Sequence, residues 1–186
     1  RLEDQLVAEN ILINFERCDY TKGIDERVRA FKKLLIKRPE LVGKVQLIVG
    51  AEPSRTDIDE YREYAAKVTK MCNEINETGL VDEETGDVLR GADELKIDGK
   101  PPIVFLNENV PHDDVLKLMR GGKSVSKSDG THVRQRMIGA ITPYEDGMNL
   151  TAKEFAAVQN LDHAGVLVLS SGAGCAAELE LERHGA

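Results

Sequence analysis

No apolar run in the 186-residue chain approaches the roughly 20 residues that a membrane-spanning helix requires, and the N-terminus has no basic-then-apolar signal pattern. No membrane partner is expected, and a cytoplasmic location is. Cationic excess is missing as well: 25 Lys and Arg stand against 33 Asp and Glu, a net charge of −8 spread along the chain. That balance argues against a nucleic acid or an anionic lipid surface as partner, and any anionic ligand would need a local cationic site. Cysteine is scarce and odd in number. Cys18, Cys72 and Cys175 lie far apart and form no CxxC pair, which argues against a disulfide framework and a zinc knuckle and leaves buried thiols in a reducing compartment. There is no short-period repeat and no proline-rich linker, so the length points to one domain. Two glycosylation sequons, Asn76-Glu77-Thr78 and Asn149-Leu150-Thr151, have no secretory signal to support them and are discounted.

What is present is an ordinary globular composition, 41% apolar and 31% charged, arranged as alternating strand and helix patterns. Ala8 to Phe15, around Ile11-Leu12-Ile13, reads as a buried strand ending in a charged turn from Glu16 to Gly23. Ile24, Val28, Phe31, Leu34 and Leu35 recur at helical spacing up to Lys37, and Pro39 closes the pattern. Lys44 to Ala51 is a second strand. A long helix follows to about Asn76, with Asp57 as its N-cap.

The polar stretch from Glu77 to Lys100 suits a loop or surface β-excursion. Ile103 to Leu106 is a third strand, and Pro111 opens a short helix. Gly121 to Arg136 reads as a mobile surface loop. It contains Gly122-Lys123-Ser124, but Lys117 stands where a phosphate loop needs its first glycine. Met137 to Pro143 is a fourth strand, a helix runs from Asn149 to about Gln159, and Gly165 to Ser170 is a fifth strand. Alternation of this kind predicts an α/β fold, a Rossmann-like parallel sheet with helices on both faces and ligands at the carboxyl ends of its strands.

Three polar clusters follow predicted strands and should share one rim: Arg17 with Lys22, Asp146 to Glu154, and Ser171 to Ala177. A helix opening on Asn149 offers unpartnered amides and the positive end of its dipole to an anion. Two cations beside it make a diphosphate site that needs no metal. Singly, Arg17 and Lys22 read as surface ion pairs, Asp146 as a turn residue and Glu154 as a solvated helix face; their joint placement favours the site. His112, His132, His163 and His184 are scattered and form no catalytic arrangement.

The motifs Glu16-Arg17-Cys18-Asp19-Tyr20-Thr21-Lys22-Gly23, Pro53-Ser54-Arg55-Thr56-Asp57, and Asp146-Gly147-Met148-Asn149-Leu150 with Ala152-Lys153-Glu154-Phe155 resemble the trehalose-6-phosphate synthase family, which also includes glucosylglycerol-phosphate synthases. The resemblance runs from about Ile11 to Glu178. It implies that residues 1–186 form the nucleotide-sugar-binding, C-terminal domain of a GT-B glycosyltransferase, a retaining enzyme of trehalose biosynthesis that moves glucose from UDP-glucose to glucose 6-phosphate. The acceptor domain is absent from this chain, so the segment alone should bind donor better than it turns over.

By that resemblance, Arg17 and Lys22 are the catalytic cations on the donor diphosphate. Asp146, Gly147 and Met148 hold glucose hydroxyls, Asn149 and Leu150 present amides to phosphate, and Glu154 binds the ribose. Neither metal nor cofactor is implied. The implied partners are a nucleotide sugar, a sugar-phosphate acceptor and an N-terminal acceptor domain, with a homo-oligomer left open. Glu145, where relatives commonly carry Arg, and the extra polar chain between Arg120 and Met137 depart from the family. With the missing acceptor half they motivate one alternative, a non-catalytic regulatory module of the same fold; a second, a glucosylglycerol-phosphate synthase using glycerol 3-phosphate, stays open because this segment contacts the acceptor little.

Overall fold

The computed structural model describes residues 2–126 and 130–181. In chain order its elements are β1 (Asn10–Arg17), α1 (Ile24–Lys37), β2 (Val45–Glu52), α2 (Asp59–Glu77), β3 (Gly79–Val81), β4 (Val88–Gly91), α3 (Ala92–Leu95), β5 (Ile103–Leu106), α4 (His112–Arg120), β6 (Ser124–Ser126), β7 (His132–Arg134), β8 (Arg136–Ile141), α5 (Leu150–Val158), β9 (Val166–Leu169) and α6 (Ala176–Leu181). Five strands form one sheet in the order β5-β2-β1-β8-β9, and every pairing in it is parallel. The winding runs outward from β1 to β2 and β5 on one side, then to β8 and β9 on the other. The strand order therefore reverses between β1 and β8, the place where such sheets open a crevice at their carboxyl ends.

Strand alternation feeds two cores. On β2, Leu47 and Val49 face one side with Val28, Phe31 and Leu35 of α1 and Val68, Cys72 and Ile75 of α2. Ile48 faces the other side with Ile11, Ile13 and Val104, against Val115 and Met119 of α4 and Phe155 of α5. Burial on both faces explains why β2 reads as an apolar run rather than an alternating one. Each such side chain, fully buried, contributes about 1.5–3 kcal/mol by removal from water. All three cysteines are buried and free, and among the described residues no helix is long and apolar enough to cross a membrane.

The expected α/β sheet with helices on both faces is present, and α1 and β5 have the expected bounds. Three expectations are corrected. β1 does not stop at Phe15: its ladder with β2 continues through Glu16↔Ala51 and Arg17↔Glu52, because backbone pairing does not depend on the charge of the side chains it carries. Asp57 is not the cap of α2. The helix begins at Asp59 behind Ile58, which gives no side-chain cap bond. The stretch from Gly121 to Arg136 is not a plain loop, since β6 and β7 pair antiparallel through Val125↔Val133; Lys127 to Asp129 lie outside the described residues, as does His184.

Candidate functional site

The end of β1 places two adjacent charges on opposite sides of the strand. Arg17 is exposed at the rim. The Glu16 side chain is only 5% exposed and lies against Arg27 of α1, itself 4% exposed, with Arg27 Nη1 2.8 Å from Glu16 Oε1. After Cys18, the Asp19 carboxylate accepts from the Thr21 amide and hydroxyl, each at 2.9 Å, and closes the 3-10 turn from Tyr20 to Lys22. Gly23 then adopts φ 64°, and a Cβ there would come within 2.8 Å of the Thr142 carbonyl oxygen. Glycine is required both by the left-handed conformation and by this close approach.

That turn meets the loop after β8. The Tyr144 amide donates to the Thr21 carbonyl at 2.8 Å, and Lys22 Nζ lies 2.5 Å from Asp146 Oδ2. Asp146 also accepts from the amides of Met148 and Asn149 and from Asn149 Nδ2 at 3.0 Å. Burial opposes ionisation of Asp146, but Lys22, with the Met148 amide and Asn149, outweighs it and holds the carboxyl below its ordinary range. For Glu16 the balance is reversed: burial dominates and raises its pKa, Arg27 and Lys22 oppose the rise, and Asp146 adds to it.

Asn149 caps α5 from the left-handed region, at φ 64°, with its side-chain oxygen accepting from the Ala152 amide at 2.9 Å. The amides of Leu150 and Thr151 are left at the helix N-terminus without intrahelical partners. The segment from Ser170 to Ala176 backs this arrangement: Asp146 N donates to Gly172 O at 2.9 Å, Gly174 N to Asp146 O at 2.8 Å and Cys175 N to Met148 O at 3.0 Å. A Cβ at Gly174 would stand 2.1 Å from the Gly147 carbonyl oxygen, so the backing can approach this closely only as glycine.

Two adjoining hollows open here. One, of about 440 Å³, is lined by Arg17, Lys22, Asp146, Met148, Asn149 and Leu150, with Glu16, Glu52 and Thr151 completing its wall. The other, of about 280 Å³, shares Glu16, Glu52 and Thr151 and runs on to Val110, His112 and Glu154. Met148 and Leu150 are exposed on the mouth of the first. Glu154, one helical turn beyond Leu150, lies 3.8 Å from His112 Nε2. Glu52 accepts a hydrogen bond from the Asn109 side chain. Together these hollows have the volume of a small-molecule site; the first sets Arg17, Lys22 and the amides of α5 among Glu16, Glu52 and Asp146, and the second is lined by carboxylates without a Lys or Arg.

The structure brings Arg17, Lys22, Asp146, Gly147, Met148, Asn149 and Leu150 to one rim and sets Glu154 on the adjoining wall. One local expectation changes: the Asn149 amide already bonds the Asp146 carboxylate, so the helix amides left for an anion are those of Leu150 and Thr151. Arg55 does not join the rim; its guanidinium bonds the Tyr61 hydroxyl at 2.9 Å and sits over that ring. The buried Glu16–Arg27 pair was missed by reading the sequence. A signal existed, since Arg27 lies three residues after Ile24 and four before Phe31, on the apolar stripe of α1. Among the described residues no group of His, Cys, Asp and Glu is arranged to hold a metal.

The chain is similar to known proteins over nearly its whole length. The model of glycosyltransferase family 20 matches residues 1–183. The trehalose-6-phosphate synthase of Cronobacter sakazakii is 33% identical over 179 residues, covering 96% of this chain and 31% of that protein. That of Escherichia coli K12 is 32% identical, with the same coverage. The structure of a UDP-forming α,α-trehalose-phosphate synthase from Burkholderia vietnamiensis superposes with a TM-score of 0.75 at 29% identity, over 96% of this chain and 34% of that one. Trehalose-6-phosphate synthase from E. coli bound with UDP-2-fluoro glucose gives 0.73 at 30% identity, over 96% and 33%. The chain thus spans about a third of the length of the curated relatives it matches.

Proposed function

This chain belongs to glycosyltransferase family 20, and from that premise we propose that residues 1–186 are the donor-binding domain of a retaining transferase that moves glucose from UDP-glucose to glucose 6-phosphate. The observation that carries the reading is the meeting of Lys22 and Asp146 at 2.5 Å beside the N-terminus of α5, at the point where strand order reverses. The similarity to a structure holding a fluorinated UDP-glucose supports a nucleotide sugar as the ligand. The names of the relatives favour glucose 6-phosphate over glycerol 3-phosphate as acceptor. An N-terminal acceptor domain would supply the second substrate.

In this reading the diphosphate lies along the hollow that holds the two cations, with Arg17 and Lys22 on its oxygens and the Leu150 and Thr151 amides aimed at it. Asp146 and the backbone of Gly147 and Met148 face the sugar, and Glu154 accepts from the ribose hydroxyls in the adjoining hollow. Transfer with retention needs no enzyme nucleophile. The acceptor hydroxyl attacks the anomeric carbon from the face the diphosphate leaves, and its proton passes to the departing phosphate oxygen. The protein's part is to stabilise the negative charge that grows on that oxygen, which preorganised cations and amides do without reorganising.

Calorimetric titration tests it. UDP-glucose should bind the chain, and Arg17→Ala and Lys22→Ala should each weaken binding by about tenfold or more, the worth of a charge-assisted hydrogen bond. Absence of binding to the unmodified chain, or unchanged affinity in both variants, would count decisively against the reading.

A further inference from the structure

Glu16 sits where both hollows meet, yet it plays no part in the proposed reaction. Both of its carboxylate oxygens and Arg27 Nε are buried without a hydrogen-bond partner. The 2.8 Å contact to Arg27 Nη1 is an ion pair. Arg27 uses its other arm to donate from Nη2 to the Lys22 carbonyl at 3.1 Å, so the buried pair reaches the turn that carries the rim's lysine.

The carboxylates around it outnumber the cations. Arg27 faces Glu16 from α1, Lys22 from the 3-10 turn and Asp146 from the loop before α5. Arg17 follows it on β1, and Glu52 stands at the end of β2. Glu108, His112 and Glu154 line the far hollow from the α4 and α5 sides. With Glu16 ionised, Arg17, Lys22 and Arg27 are outnumbered by Glu16, Glu52, Asp146, Glu108 and Glu154, and the two hollows have no net positive charge to offer a doubly ionised diphosphate. A desolvated carboxylate with unsatisfied lone pairs is the charge that an arriving anion most readily neutralises. Its protonation leaves Arg27 uncompensated in a poorly screened interior; Arg27 lines neither hollow, and a diphosphate held at Lys22 offsets its charge from a distance rather than by contact.

We infer, on the reading that the cleft binds a nucleotide sugar, that Glu16 is a proton-linked positioning residue: it takes up a proton from solvent as the diphosphate binds and so releases Arg27 to act, behind Lys22, as a third cation of the cradle. Burial, which favours the protonated carboxyl, supports the direction of this exchange. A pair that merely pinned β1 to α1 would leave the proton count of binding unchanged.

Calorimetry of UDP-glucose binding to the full chain, in buffers of different ionisation enthalpy between about pH 5.5 and 8.5, counts the protons. This ligand is suitable because its diphosphate is esterified at both ends, whereas a terminal phosphate titrates near pH 6 and would add its own protons. The unmodified chain should show proton uptake and an affinity that falls as pH rises, by up to about tenfold per pH unit in the one-proton limit. Glu16→Gln should lose both. Zero uptake by the unmodified chain, undiminished uptake in Glu16→Gln, or uptake that vanishes in His112→Gln would each overturn the inference. If Glu16→Gln does not fold, Glu16→Asp decides, because a carboxyl one methylene shorter must move the pH midpoint of the affinity, and an unmoved midpoint overturns the inference as well. Failure of the unmodified chain to bind UDP-glucose at any pH would sink the donor-domain reading itself, a different result from binding without uptake.

Discussion

Four hydrogen bonds converge on the Asp146 carboxylate, from Lys22, from the amides of Met148 and Asn149, and from the Asn149 side chain. Its depressed pKa means that the folded state prefers it ionised. The stabilisation it gives is present above the unfolded carboxylate value, near pH 4, and is lost as pH falls through the lower folded value. Asp146→Asn should therefore lower unfolding free energy by about 1–3 kcal/mol at neutral pH, with the gap to the unmodified chain closing in acid; urea unfolding over a pH series checks it. For Glu16 the sign is opposite, since a raised pKa gives stability that is present in acid and lost as pH rises through the folded value. The meeting of Arg17, Lys22 and Asp146 at one rim, with Glu154 on the adjoining wall, was legible because loops after parallel strands share one end of the sheet. Glu16 with Arg27 was not, because adjacent charges on a strand do not reveal which one turns inward until α1 is packed against it.

At the scale of elements, α5 depends on a residue with two duties. Asn149 accepts from the Ala152 amide and also tolerates φ 64°. Asn149→Ala forfeits both and should cost about 2 kcal/mol, the sum of a lost cap and a strained left-handed residue. Asn149→Gly keeps the conformation but, like the alanine, loses the cap and the Nδ2 bond to Asp146, and should cost about 1–2 kcal/mol less than Asn149→Ala, the strain that the left-handed region puts on a residue with a Cβ. Thermal unfolding of the two variants separates the duties, and equal losses would show that the left-handed conformation has no part in the cost. The same residue made α5 readable, since Asn before an amphipathic run is an N-terminus signal. Where no such signal existed, the reading slipped. α2 opens behind Ile58 without a side-chain cap, and β6 and β7 each carry one valine among polar neighbours, too little alternation to be told from a loop.

The molecule as a whole was the most readable level, because alternating strand and helix patterns leave few topologies once crossovers are right-handed. The order β5-β2-β1-β8-β9 sets β1 beside β8 and thereby brings Lys22 to Asp146 across 124 positions of sequence, a pairing that no local pattern contains. That ion pair has a kinetic corollary. In the cleft Lys22 holds an anion of its own, and the chain around it carries a net charge of −8. On the proposed reading, diffusing nucleotide sugar is then repelled at long range and attracted only after arrival, unlike a ligand steered by a basic patch. Raising ionic strength from about 0.01 to 0.1 M, which shortens the Debye length from about 30 to 10 Å, should accelerate association in stopped-flow measurements, whereas a site that gathers its anion from afar would slow. The latch between Lys22 and Asp146 thus makes the cleft selective at contact and indifferent to the anions that merely pass by.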